Sequence, residues 1–176
     1  TVSPPGNFGV VSVSFNIYTN VAPPPDKVCD VLAASNLATN NGYTSMFNSA
    51  TREYACSFVL TSNTPVCSIS TFLSLEGDIR GDITMQVLNS ASPFVPGSVI
   101  ASSPTSLSIT SMVPRIEREY AFKFVQAIPA GTNWIMLSGV DIKDNWLGSI
   151  RWWRNNGFQP RMILYKQGND WKTNTP

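Results

Sequence analysis

Short runs of alternating apolar and polar residues recur along the whole chain, and they restrict its fold more than any other feature. The clearest are "VVSVSFNIY", "EYACSFVL", "CSISTFLSL", "DITMQVL", "SLSITSM", "EYAFKFV", "NWIMLS", "LGSIRWWRN" and "RMILYK". In a β-strand successive side chains leave on opposite sides, so such a run builds one apolar and one polar face. Between the runs lie "NVAPPPDK", "TSNTP", "ASPFVPGS", "IPAGT" and "NNGFQP", rich in the Pro, Gly and Asn that set turn dihedrals. No window carries a sustained helical stripe. The pattern predicts an all-β fold, an antiparallel two-sheet β-sandwich of jelly-roll type, as a single domain over residues 1–176. At most one short helix is expected, within "DKVCDVLAASNLATNNGYTSMF", where Asp26 would cap it. "FNIYTNVAPPPDKVCDVLAAS" and "MQVLNSASPFVPGSVIASSPT" echo each other, and they read as two hairpins with similar turn chemistry.

The alternation also assigns faces. In "EYAFKFV", Tyr120, Phe122 and Phe124 share one side and are expected in the core, while Glu119, Ala121 and Lys123 face out. The segment "GSIRWWRN" sets two tryptophans side by side, which a strand must send to opposite faces. Ile150 with Trp152 makes the better core face, because the other choice would bury Arg151, and an unpaired buried charge costs several kcal/mol. Trp153 is then expected to point outward between Arg151 and Asn155.

Composition narrows the function classes. Lys plus Arg number 12 and Asp plus Glu 11, so a net charge of +1 supplies no field to hold nucleic acid or an anionic membrane. The chain has no histidine, which removes the commonest general base and the commonest zinc ligand. No apolar run approaches the roughly 20 residues a bilayer span needs, so no membrane insertion is expected. The opening "TVSPPGNFGV" has neither the basic end nor the apolar stretch of a signal peptide, so a leader already removed and a cut from a longer protein both stay open. Cysteines stand at Cys29, Cys56 and Cys67. Cys56 and Cys67 flank the hairpin-like "CSFVLTSNTPVC" and are the candidate disulfide; otherwise all of them are small buried apolar residues. A bridge would indicate secretion, and its absence a particle assembled in the cytoplasm.

An outward tryptophan beside polar side chains suits a sugar. The indole face covers the C–H side of a pyranose ring, and neighbouring Arg, Asn and Gln groups bond the surrounding hydroxyls; such platforms gain strength in arrays. The candidate ligand-binding set is Trp153, Arg151, Asn155, Asn156, Gln159 and Arg161. The competing role for Trp153 is packing against a loop, a neighbouring subunit or an adjoining domain. In "GVDIKDNW", read as a loop, Asp141, Asp144 and Asn145 offer oxygens to a calcium ion, although Ca2+ takes six to eight and solvated Asx turns explain them as well. Arg80, Gly81 and Asp82 spell an adhesion tripeptide, but Gly81 is better read as a bend entering the strand "ITMQVL". Glu117 and Glu119 share a strand face about 6 to 7 Å apart, a glycosidase-like separation. Arg115 and Arg118 beside them favour a salt-bridged surface edge instead.

The final third, "YAFKFVQAIPAGTNWIMLSGVDIKDNWLGSIRWWRNNGFQPRMILYKQGNDWK", runs from an aromatic strand through a Pro-Ala-Gly turn and a tryptophan strand to a "GNDW" turn. With "GDITMQVLNSASPFVPGSVIASS" before it, it resembles the secreted bacterial β-sandwiches known as choice-of-anchor domains, similar in outline to carbohydrate-binding jelly rolls. The resemblance covers residues 75 to 172. It implies that Trp134, Trp146 and Trp171 are largely structural. Similar sandwiches also form capsid, fibre and spike parts of viruses. The sequence therefore leads to the expectation of a non-catalytic binding module outside the cell or on a cell or virion surface, whose partner is glycan or neighbouring protein subunits. The alternative is a structural subunit of a virion, fibre or surface layer.

Overall fold

The structure, a computed structural model, describes residues 12–13, 15–20, 29–36, 40–47, 53–92, 94–144, 148–155 and 163–173; the side chains of β3 and of positions 12, 13, 20, 40–42, 144, 153–155 and 173 are not among those described. In chain order its strands are β1 (Ser12–Val13), β2 (Phe15–Asn20), β3 (Cys29–Asn36), β4 (Asn40–Met46), β5 (Glu53–Leu60), β6 (Thr64–Glu76) and β7 (Ile79–Ser92). There follow β8 (Val95–Ser102), β9 (Leu107–Ser108), β10 (Arg118–Ile128), β11 (Gly131–Asp144), β12 (Ser149–Asn155), β13 (Ile163–Gln167) and β14 (Asp170–Thr173).

These strands form two antiparallel seven-stranded sheets packed face to face, one of them curled, which is the expected all-β sandwich. In the first sheet β6 is the hub. It pairs with β10 on one side and with β2 and then β12 on the other, while β3 flanks β2 and β4 and β1 flank β12. The second sheet runs β14-β13-β5-β11-β7-β8, with β9 also on β7. The two echoing segments are indeed hairpins, β2 with β3 and β7 with β8.

One apolar cluster fills the space between the sheets. The first sheet contributes Phe15, Ile17, Ile69, Leu73, Phe122, Phe124 and Ile150, and the second Cys56, Phe58, Val87, Ile135 and Leu137. Phe15 meets Phe58 edge to face across the gap, centroids 5.8 Å apart, the offset that aromatic quadrupoles favour. Phe122 and Phe124 are buried as the alternation predicted, and Tyr120 packs half-buried against the same core. Trp134 and Trp171 belong to a separate cluster with Ala55, Leu88, Met136 and Leu164, where the Trp134 indole N–H donates to Ser90 Oγ at 2.7 Å.

Two expectations are corrected. The described parts of the segment expected to hold a helix form β3 and β4 instead, Asp26 lying outside the described residues, and the helical structure among the described residues is a single 3-10 turn at Ile109–Ser111. Pairing along the edges of β2 and β12 overrides a weak local preference there. The Cys56–Cys67 bridge does not form: Cys56 remains a buried thiol, and Cys67 is disulfide-bonded to a partner outside the described side chains. The cause is topological. β5 and β6 do not make a hairpin, because the chain crosses from the second sheet to the first at the turn between them, taking the two cysteines to different sheets.

Candidate binding face

The tryptophan strand answers its own question on one side. Trp152 is 0% exposed, and its indole N–H donates to Thr71 Oγ1 at 2.7 Å, so the ring fills core space without leaving a polar atom unpaired. Ile150, also fully buried, shares that face. Arg151 alternates to the opposite, outer side of the first sheet. Trp153 is the register partner of Tyr43 and Asn155 that of Ser12 and Asn40, but neither side chain is described. Asn156, Gln159 and Arg161 lie outside the described residues altogether.

Arg151 is the member of the expected set that can be placed. Its guanidinium lies 4.2 Å from the Tyr43 ring centroid and pairs with Glu76 Oε1 at 3.0 Å. Both partners come from strands flanking β12: Ser45 on β4 and Ser74 on β6 are opposite Arg151, and Tyr43 and Glu76 stand two residues further along. Stacking on the ring and pairing with a carboxylate fix a long side chain that otherwise keeps about 2 kcal/mol of rotamer freedom. Tyr43 is 40% exposed, so the stacked pair still presents aromatic surface to solvent.

The outer side of β6 explains how these groups come together. Its inward residues Ile69, Thr71, Leu73 and Leu75 are buried in the core, and its outward residues are Ser68, Ser70, Phe72, Ser74 and Glu76. Serines make a low floor over which longer side chains from neighbouring strands can reach. Near Ser70, the Asn16 amide donates to Glu119 Oε1 at 2.8 Å, the Ser70 hydroxyl donates to the same oxygen, and the Tyr18 hydroxyl stands 3.5 Å from it. Sequence reasoning missed Tyr43, Glu76, Asn16, Tyr18 and Ser70. The signal available was the Ser-x-Ser-x-Phe-x-Ser spacing of "SISTFLS", which sets small residues along one side.

The remaining candidates are resolved differently. Asp141 and Asp144 are not in a loop: both lie within β11, whose register slips between Val140 and Lys143, and Asp141 takes φ 51° there. Asn145 lies outside the described residues. Among the described residues no group of acidic or cysteine side chains could hold a metal ion. Gly81 lies inside β7 rather than before it, at φ 125°, and a Cβ on it would come within 2.7 Å of the Val140 carbonyl oxygen. The adhesion tripeptide is thus built around a close backbone contact, with Arg80 beside Asp78 at 3.4 Å.

Fold and face together define an all-β two-sheet sandwich with a mixed aromatic and polar outer surface. Comparison with protein-family models, with curated proteins and with solved structures found no match.

Proposed function

We propose that this protein is a non-catalytic binding module that acts outside the cell or on a particle surface, and that it attaches to glycan through the outer face of the first sheet. The observation that carries the reading is the Tyr43–Arg151–Glu76 arrangement, with position 153 opposite Tyr43. A flat ring offers a surface for the C–H side of a sugar, while a guanidinium paired with one carboxylate oxygen keeps further N–H donors for hydroxyls. The disulfide at Cys67 supports an oxidising compartment. Titrating the protein with oligosaccharides while following tryptophan fluorescence tests the reading. Tyr43→Ala and Trp153→Ala are expected to weaken the response at least tenfold; no response from the unaltered protein, or the same response from both variants, rejects it.

A second reading, a structural subunit of a virion, fibre or surface layer, is favoured by apolar side chains left in solvent. Val125 is 87% exposed on β10 and Phe94 63% exposed at the tip of the β7–β8 hairpin. Light scattering after size exclusion separates the two: concentration-dependent assembly supports the subunit, and a strict monomer at high concentration the module.

A further inference from the structure

We infer that the outer face of the first sheet holds an extended oligosaccharide rather than a single sugar, with a second contact at Asn16, Ser70 and Glu119; this rests on the glycan reading above. Asn16 is only 4% exposed, and its Oδ1 is buried with no hydrogen-bond partner among the described residues. Turning the amide over would not help, because it would set Oδ1 against the Glu119 carboxylate that the nitrogen now contacts at 2.8 Å. An orphaned buried acceptor is costly, so a donor is missing.

The Asn16 side chain stands on the outer side of the first sheet. Phe15 and Ile17, the neighbours of Asn16 on β2, point into the core, which sends the Asn16 side chain out through the opposite face. On that face stands Glu119, exposed to solvent, with Oε1 taken up by Asn16, Ser70 and Tyr18 and no cation among the described residues paired to it. An amide oxygen and a carboxylate side by side accept and do not donate, so the group they complete is a donor, and a polyhydroxyl compound supplies several such protons without charge. A calcium ion would need six to eight oxygens, more than this spot supplies. Acidic sugars would meet the charge of Glu119, so a neutral chain fits best.

The two contacts share one strand. Ser70 and Ser74 of β6 mark them, four residues or about 13 Å apart, with Phe72 between on the same side. An oligosaccharide covers that span and a monosaccharide does not.

The test uses cellohexaose, xylohexaose and mannohexaose beside their monosaccharides, titrated calorimetrically into the unaltered protein and into Asn16→Ala, Glu119→Ala and Tyr43→Ala. At least one hexaose is expected to bind at least tenfold tighter than its monosaccharide, and Asn16→Ala and Glu119→Ala to cost about tenfold or more. Glu119 is exposed, so Glu119→Ala carries the test if Asn16→Ala fails to fold. Hexaose binding that Tyr43→Ala reduces and both folded variants at the second contact leave unchanged overturns this inference and leaves the glycan module standing. Equal affinity for hexaose and monosaccharide does the same. No binding of any sugar by the unaltered protein overturns both.

Discussion

Trp152 and Arg151 are neighbours in the chain with opposite duties, and substitutions should separate them. Thr71→Val keeps the volume beside Trp152 but strands its indole N–H in the core; the expected loss is about 1 to 3 kcal/mol, read from the urea midpoint at unchanged slope. Arg151→Ala breaks a partly exposed ion pair and should cost under about 1 kcal/mol in the same measurement. Trp152 was legible in the sequence because a core side chain obeys the strand period whatever its neighbours do. Tyr43 was not, since its stretch "NNGYTSM" is polar on both sides of the aromatic and offers no period to read. The orphaned Oδ1 of Asn16 was beyond reach for a different reason: satisfaction of a polar atom depends on three strands meeting, and no single segment records it.

At the level of strands, alternation located β5 at its true ends and the cores of β6, β7, β10, β11, β12 and β13, because each sends alternate residues into the core between the sheets. It did not say which strands pair. "CSFVLTSNTPVC" has the look of a hairpin, and a short turn serves equally well to pass the chain from one sheet to the other. The slip in β11 was similarly hidden, since a bulge needs a partner to be a bulge. Its partner is Gly81, held at φ 125° against the backbone of Val140 and Asp141, so Gly81→Ala should destabilise by about 3 kcal/mol or more, visible as a lowered melting temperature. The free margins are guarded. β10 carries charges and a register slip between Lys123 and Gln126, and β8 carries Pro96 and several slips against β7, devices that discourage edge-to-edge pairing. Val125→Lys, at the β10 slip, should leave stability within about 0.5 kcal/mol and would abolish assembly if that residue seats a neighbouring copy.

For the molecule as a whole, both sheets share one core, so loss of either should be cooperative. Reducing the disulfide at Cys67 should lower stability by about 2 to 5 kcal/mol, measured by denaturation with and without reductant. Mass spectrometry after iodoacetamide treatment gives an independent check: Cys56, fully buried, should be alkylated only once the fold is opened. The row of short hydroxyls on the outer side of β6 has a longer reach than any single contact made above it. From Ser68 to Glu76 the odd residues of that strand face the interior and the even ones the outer side, so heredity can rewrite one register of the text while the other stays word for word. A lineage built on this plan is free to exchange what it grips, one neighbouring strand at a time, without renegotiating how it stands.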